Sequence, residues 1–150
     1  MSSNYLRLIP SDPNFIPEEP AHIQARAMFA TFVSKAYEIS SRVYENVIFV
    51  DAGVNYERIS CPFCGAVLNH NWWIDQMDRS YNKTNFTDLT ISTPCCDSLC
   101  SLNDLKCEWP MGFARFIIEA IDLDIDIEET QIHELEHILQ CTLRKIWAHY

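Results

Sequence analysis

Cys61-Pro62-Phe63-Cys64-Gly65, answered about thirty residues later by Pro94-Cys95-Cys96 with Cys100 close behind, decides how the chain is read. A Cys-x-x-Cys turn presents two thiolates to one metal because the backbone folds back between them, and tetrahedral Zn²⁺ takes four such ligands. Gly65 suits that turn. A residue just past the second thiolate must often take positive φ, which glycine does without steric cost. Pro62 stiffens the same loop. One Cys-x-x-Cys alone also fits a redox dithiol at a helix N-terminus. The second cluster supplies the further thiols that a closed structural zinc site needs and a redox pair does not. Cys95, Cys96 and Cys100 compete for the two remaining places, with His70 as a substitute. Cys107 and Cys141 stand in apolar contexts and read as small buried hydrophobes.

With 150 residues, 48% of them hydrophobic, the chain suits one domain spanning 1–150, with the zinc lobe at about 61–100. Only three glycines occur, which argues against a phosphate-cradling glycine loop. Seven cysteines at metal-type spacing, with no apolar leader and no run long enough to span a bilayer, point to a reducing cytoplasm. The net charge of −10 repels nucleic acid and anionic membrane, and favours a basic protein partner.

Outward from the cysteines, Trp72 to Ser80 reads as a short helix between the zinc halves, its aromatics roofing the site. Phe86 to Ser92 alternates as a half-buried strand that delivers Pro94-Cys95-Cys96. Val47 to Val50 and Tyr56 to Ser60 read as strands, and Ser101 to Leu105 as a turn or short helix. Phe113 to Ile121, apolar at almost every position, reads as a central strand on which a buried Arg115 needs a carboxylate. Upstream, Tyr5 to Ile9 is β-rich, and Pro13, Pro17 and Pro20 forbid a helix interior before Ala21. A helix then runs to about Tyr37, with Ile23, Ala27, Ala30 and Val33 or Ser34 near one face turned to a sheet. Ile132, Leu135, Ile138 and Leu139 recur at helical spacing, and Leu143 to Tyr150 alternates as a closing strand. The sum is an α+β domain: an antiparallel sheet, two longer helices and an inserted zinc-binding lobe.

His133-Glu-Leu-Glu-His137 matches HExxH, the pair of histidines one helical turn apart that binds catalytic zinc. The extended form of that motif needs Gly at 140 and His at 143, where Gln140 and Leu143 stand, and no glutamate follows His137. A solvated helix face is expected, and no enzyme. Asp122-Leu-Asp-Ile-Asp126 is like the opening of a calcium loop, but Ile127 and His133 occupy the Gly and Glu positions. The span Glu119–Glu136 carries eight carboxylates and no Lys or Arg. In an extended conformation Asp122, Asp124 and Asp126 form one wall, continued by Glu128 and Glu129. This is either a solubilising edge or the partner-binding surface.

Taken together, Cys61-Pro-x-Cys-Gly65, Trp72-Trp73, Pro94-Cys95-Cys96, Ser101-Leu-Asn-Asp-Leu105, Trp109-Pro110, Gly112-Phe-Ala-Arg-Phe116 and Ile146-Trp-Ala-His-Tyr150 resemble a family of small uncharacterised bacterial proteins. In that family the Pro-Cys-Cys element is usually followed by Gly, where this chain has Asp97, and a match to Cys100 is not typical. The resemblance implies Cys61, Cys64, Cys95 and Cys96 as the structural Zn²⁺ ligands. It carries no activity. Small acidic bacterial proteins of this type often serve as immunity proteins, so the expectation is an inhibitor that neutralises a basic toxin domain by binding it. The alternatives are a zinc-ribbon nucleic-acid or transcription accessory protein, and a hydrolase using His133, Glu134 and His137.

Overall fold

The computed structural model describes residues 3–123 and 125–150. Its elements run β1 (Asn4–Pro10), α1 (Glu19–Phe32), β2 (Glu38–Val50), β3 (Ile59–Ser60), α2 (His70–Thr84), β4 (Thr90–Ser92), β5 (Leu99–Ser101), β6 (Lys106–Cys107), β7 (Gly112–Ile121), α3 (Glu129–Leu139) and β8 (Leu143–His149). The apolar run of β7 is buried on both faces, as a strand inside a sheet must be. Around it the antiparallel sheet takes the order β2-β7-β1-β8. The α+β class read from the sequence is the observed one.

On one face, Leu6 and Leu8 of β1 and Phe116 and Ile118 of β7 meet Phe29 of α1 and Leu135 and Leu139 of α3. All seven side chains are buried, and each contributes about 1.5–3 kcal/mol relative to exposure. On the other face Ile9, Val50, Ala114, Ile117 and Ile146 form a smaller cluster. A third core lies inside the cysteine lobe, where α2 and the short ribbons enclose Ile59, Cys61, Trp73, Met77, Ile91, Leu102 and Phe113.

The lobe is locked to the sheet by polar groups. Arg144 of β8 donates from Nη1 to Met111 O at 2.7 Å and to Asn103 Oδ1 at 3.1 Å, and from Nη2 to Asn103 O at 3.1 Å. Asn103 sits in the 3-10 turn Leu102–Asp104, is buried, and bonds further to Ser11 O and to the Phe113 amide. Burial works against the Arg144 charge and lowers its pKa, so these carbonyl acceptors are what hold the guanidinium inside. Gly112 completes the lock: a Cβ there would stand 2.8 Å from both Arg144 Nη1 and Ile9 Cδ1.

Several expectations change in detail. The helix expected to be short, α2, has 15 residues and is longer than α1 with 14 or α3 with 11. Its polar end is used by the fold: Thr84 Oγ1 donates to Ser80 O, and buried Ser80 donates to Asp88 O. Asn85 and Phe86 then take φ of 55° and 63°, which ends the helix and delays the following strand to Thr90. Helix α1 ends at Phe32, short of Tyr37, and its buried residues are Ala25 and Phe29; of the expected stripe only Val33, now the C-cap, is buried, and Ile23 is 63% exposed. Phe29 decides the orientation because it has the largest apolar surface to bury. Arg115 finds a carbonyl, Tyr44 O at 3.1 Å, in place of a carboxylate.

Candidate metal centre

The two cysteine knuckles come together. Sγ atoms of Cys61, Cys64, Cys95 and Cys96 all lie within 4.8 Å of one another. Cys61 and Cys96 are 3.7 Å apart, Cys64 and Cys95 3.3 Å, Cys95 and Cys96 3.9 Å. Four thiolates about 2.3 Å from one metal have tetrahedral edges of about 3.8 Å. The cluster therefore has the size of a four-sulfur metal shell, and its cysteines are free thiols.

Each knuckle is built locally. Gly65 takes φ of 75° and its amide donates to Cys61 O at 3.1 Å, while the Phe63 amide points at Cys61 Sγ at 3.4 Å. Cys61 is buried and its amide donates to Ala66 O, closing the turn beneath the sulfur. In the second knuckle Thr93 is buried, and its hydroxyl lies 3.3 Å from Cys96 Sγ and accepts from the Ser98 amide. Asp97 takes φ of 52°, the left-handed conformation that the glycine of the resembled motif adopts freely. Its carboxylate accepts from Ser92 Oγ at 3.1 Å.

Desolvation opposes a charge on Cys61, but the Cys64 and Phe63 amides and the neighbouring thiols outweigh it and bring the pKa down to about 6. Desolvation and the crowding thiols push Cys95 up to about 12. A divalent ion removes that conflict, since all four sulfurs are deprotonated in its shell.

The other candidates lie elsewhere. His70 stands outside the cluster, its Nδ1 2.9 Å from Tyr56 OH and its ring beside Trp73. Cys100 pairs with Ile91 across the β4–β5 ribbon and packs on the lobe core. Cys107 packs there too, and Cys141 packs under the helices; burial raises both thiols to about 11. Trp73 meets Phe49 and Tyr56, so it builds the lobe interior rather than a roof over the sulfurs. His133 and His137 are exposed on α3, and His133 Nε2 faces Glu136 Oε1 at 3.9 Å. Among the described residues the cysteines are the one group that brings three or more potential ligands together.

The acidic span is shaped differently from a flat wall. Asp122 takes φ of 52°, which ends β7, and its Oδ1 accepts from the Asn4 amide at 3.0 Å. Leu123 and Ile127 turn inward to the helix-covered core. Asp126 accepts from Lys145 Nζ at 2.8 Å and Trp147 Nε1 at 3.2 Å. Glu128 is the N-cap of α3, in a box with Gln131, and Glu129 lies in the first turn, where carboxylates favour the helix dipole. Asp124 lies outside the described residues. Asp122, Asp126, Glu128, Glu129 and Glu134 are all exposed.

Sequence reasoning missed one polar cluster. Arg7 Nε donates to Glu119 Oε2 at 2.7 Å and Nη1 to Tyr150 OH at 3.0 Å, while Tyr150 OH donates to Asp51 Oδ1 at 2.6 Å. Tyr5 and Tyr150 flank the guanidinium at 4.8 and 5.5 Å. The signal was the alternation of β1, which puts Arg7 opposite Leu6 and Leu8.

Comparison with protein-family models, curated proteins and solved structures returned no match to this chain. Among the described residues, no helix is long and apolar enough to cross a membrane.

Proposed function

We propose that this is a zinc-stabilised interaction protein of the immunity type, which neutralises a basic toxin domain by binding it. The four-sulfur cluster, whose spacing fits tetrahedral Zn²⁺, supports a structural metal. The observation that carries the binding role is the exposed carboxylate edge of Asp122, Asp126, Glu128, Glu129 and Glu134 on a chain of net charge −10. Such an edge steers a cationic partner and raises its association rate. Two cations touch the described part of the span: Arg7 engages Glu119 at its start and Lys145 engages Asp126, and Asp122, Glu128, Glu129 and Glu134 have no ion-pair partner among the described residues.

The test is titration of the purified protein with toxin domains encoded beside its own gene, at low and high salt. A tight complex whose association slows with salt, and slows further when Glu128→Lys and Glu129→Lys are combined, is the expected result. Absence of any complex with those domains, together with retention on nucleic acid, would replace this reading with the zinc-ribbon accessory role.

A further inference from the structure

The two outer edges of the sheet are treated differently. Along β8 the edge is closed: the Val54 amide donates to His149 O, the His149 amide to Ala52 O, and Asn55 Nδ2 to Trp147 O. Glu136 Oε2 takes the Leu143 amide. Along β2 the distal half is flanked by Tyr81, Asn85 and Phe86. The proximal half, Glu38 to Val43, pairs with β7 on its inner side and has no strand on its outer side among the described residues. Arg26 Nη2 of α1 reaches the Ile39 carbonyl at a long 3.4 Å, and a strand edge otherwise free of backbone partners, carrying Ile39 and Val43, is a template for strand addition.

Beside this edge lies a surface groove lined by His22, Ile23, Arg26, Ala27, Ala30 and Ser41. Its apolar part is the α1 stripe that the core leaves out, with Ile23 63% exposed, and Glu19 stands at the groove as well. The unpaired strand and the uncovered helix stripe meet in this groove, where Ser41 stands beside the α1 residues and its hydroxyl lies 2.6 Å from His22 Nε2.

We propose that the occupant is a second copy of this chain, added antiparallel along β2 about a two-fold axis at Ser40. A symmetric antiparallel pair sets residue i opposite a residue j of the same parity, with i plus j constant. With the axis at Ser40, Glu38 of each chain faces Arg42 of the other, giving two reciprocal opposite-charge pairs. An axis at Arg42 sets like charges together, an axis at Ile39 leaves Glu38 opposite Ser40 and Arg42 opposite Ala36, and an axis at Ser41 leaves them opposite Tyr44 and Ser40. Neither Glu38 nor Arg42 has an ion-pair partner among the described residues; Arg42 only stacks on Tyr44 at 4.7 Å. The axis also sets the two α1 stripes side by side, where Ala27 and Ala30 permit close approach around Ile23. Asp126, which contacts Lys145 and Trp147 of β8, lies at the opposite edge of the sheet from β2, so that part of the proposed toxin surface is clear of the dimer seam.

Sedimentation equilibrium of the zinc-loaded full chain tests this. Wild type is expected to be a concentration-dependent dimer. Glu38→Arg and Arg42→Glu, each of which makes two like-charge pairs, should raise the dissociation constant about tenfold or more. Combining the two reverses both charges, restores the opposite pairing, and should return the constant close to wild type. Ile23→Glu should also weaken the dimer without changing the rescue pattern. A wild type that stays monomeric would give the edge to a strand of some other protein and overturn the proposal. So would a dimer indifferent to these charges, or a double variant no tighter than the single ones.

Discussion

Two glycines separate conformational from steric demand. Gly65 sits at φ of 75° with no heavy atom within 4 Å of a Cβ, so Gly65→Ala costs only the left-handed backbone, about 1 kcal/mol. Gly112 has ordinary φ but no room, and Gly112→Ala must displace Arg144 or Ile9. Overpacking of that kind costs about 1–3 kcal/mol, and here it also disturbs the Arg144 hydrogen bonds. Urea unfolding of both variants should rank Gly112→Ala as the more damaging; the opposite order would mean that the lock between lobe and sheet is loose. Gly65 was legible because its role is set by residues beside it. Asn103 was not: Ser101-Leu-Asn-Asp-Leu105 reads as a motif, but the meeting of Asn103 with Arg144 depends on a strand about forty residues away. Through that meeting Asn103 helps hold the lobe on the sheet.

At the level of elements, α3 shows what a pattern match leaves undecided. His133 and His137 lie on its exposed flank, and Glu136 spends one carboxylate oxygen on the Leu143 amide at 2.7 Å. His133→Ala should therefore leave the melting temperature nearly unchanged, within about 0.5 kcal/mol. Glu136→Ala strands a half-buried amide and should cost about 1 kcal/mol or more. Differential scanning calorimetry on the pair decides it, and equal losses would point to a structural role for the histidine. The period of α3 was readable because Leu135 and Leu139 have no apolar rival on the other side. In α1 two stripes compete, Ile23-Ala27-Ala30 and Ala25-Phe29, with Val33 within reach of either, and periodicity cannot choose between them. Strand β2 was underread for a related reason: Glu38-Ile-Ser-Ser-Arg-Val-Tyr-Glu is polar enough for a loop, and only pairing with the apolar β7 makes it a strand.

For the whole molecule, the central claim is that a metal joins two knuckles and thereby holds the lobe, with Cys61 buried in the lobe's own core. Thiolate ligands compete with protons, so metal should leave as pH falls, and the lobe should loosen as it does. Cys64→Ser removes one ligand from the shell and should lower the melting temperature of the whole chain. The sheet and the α+β class followed from apolar patterning, and the knuckles from cysteine spacing. How the lobe's polar residues meet the sheet did not. The most direct measurement is native mass spectrometry of the purified chain before and after mild chelation, with a thermal melt of each sample. One zinc per chain, lost on chelation with a fall in melting temperature, and absent in Cys64→Ser but kept in His137→Ala, is the predicted result. A chain that carries no zinc and melts identically with and without chelator would contradict the structural metal, and zinc lost with His137 would move the metal to α3.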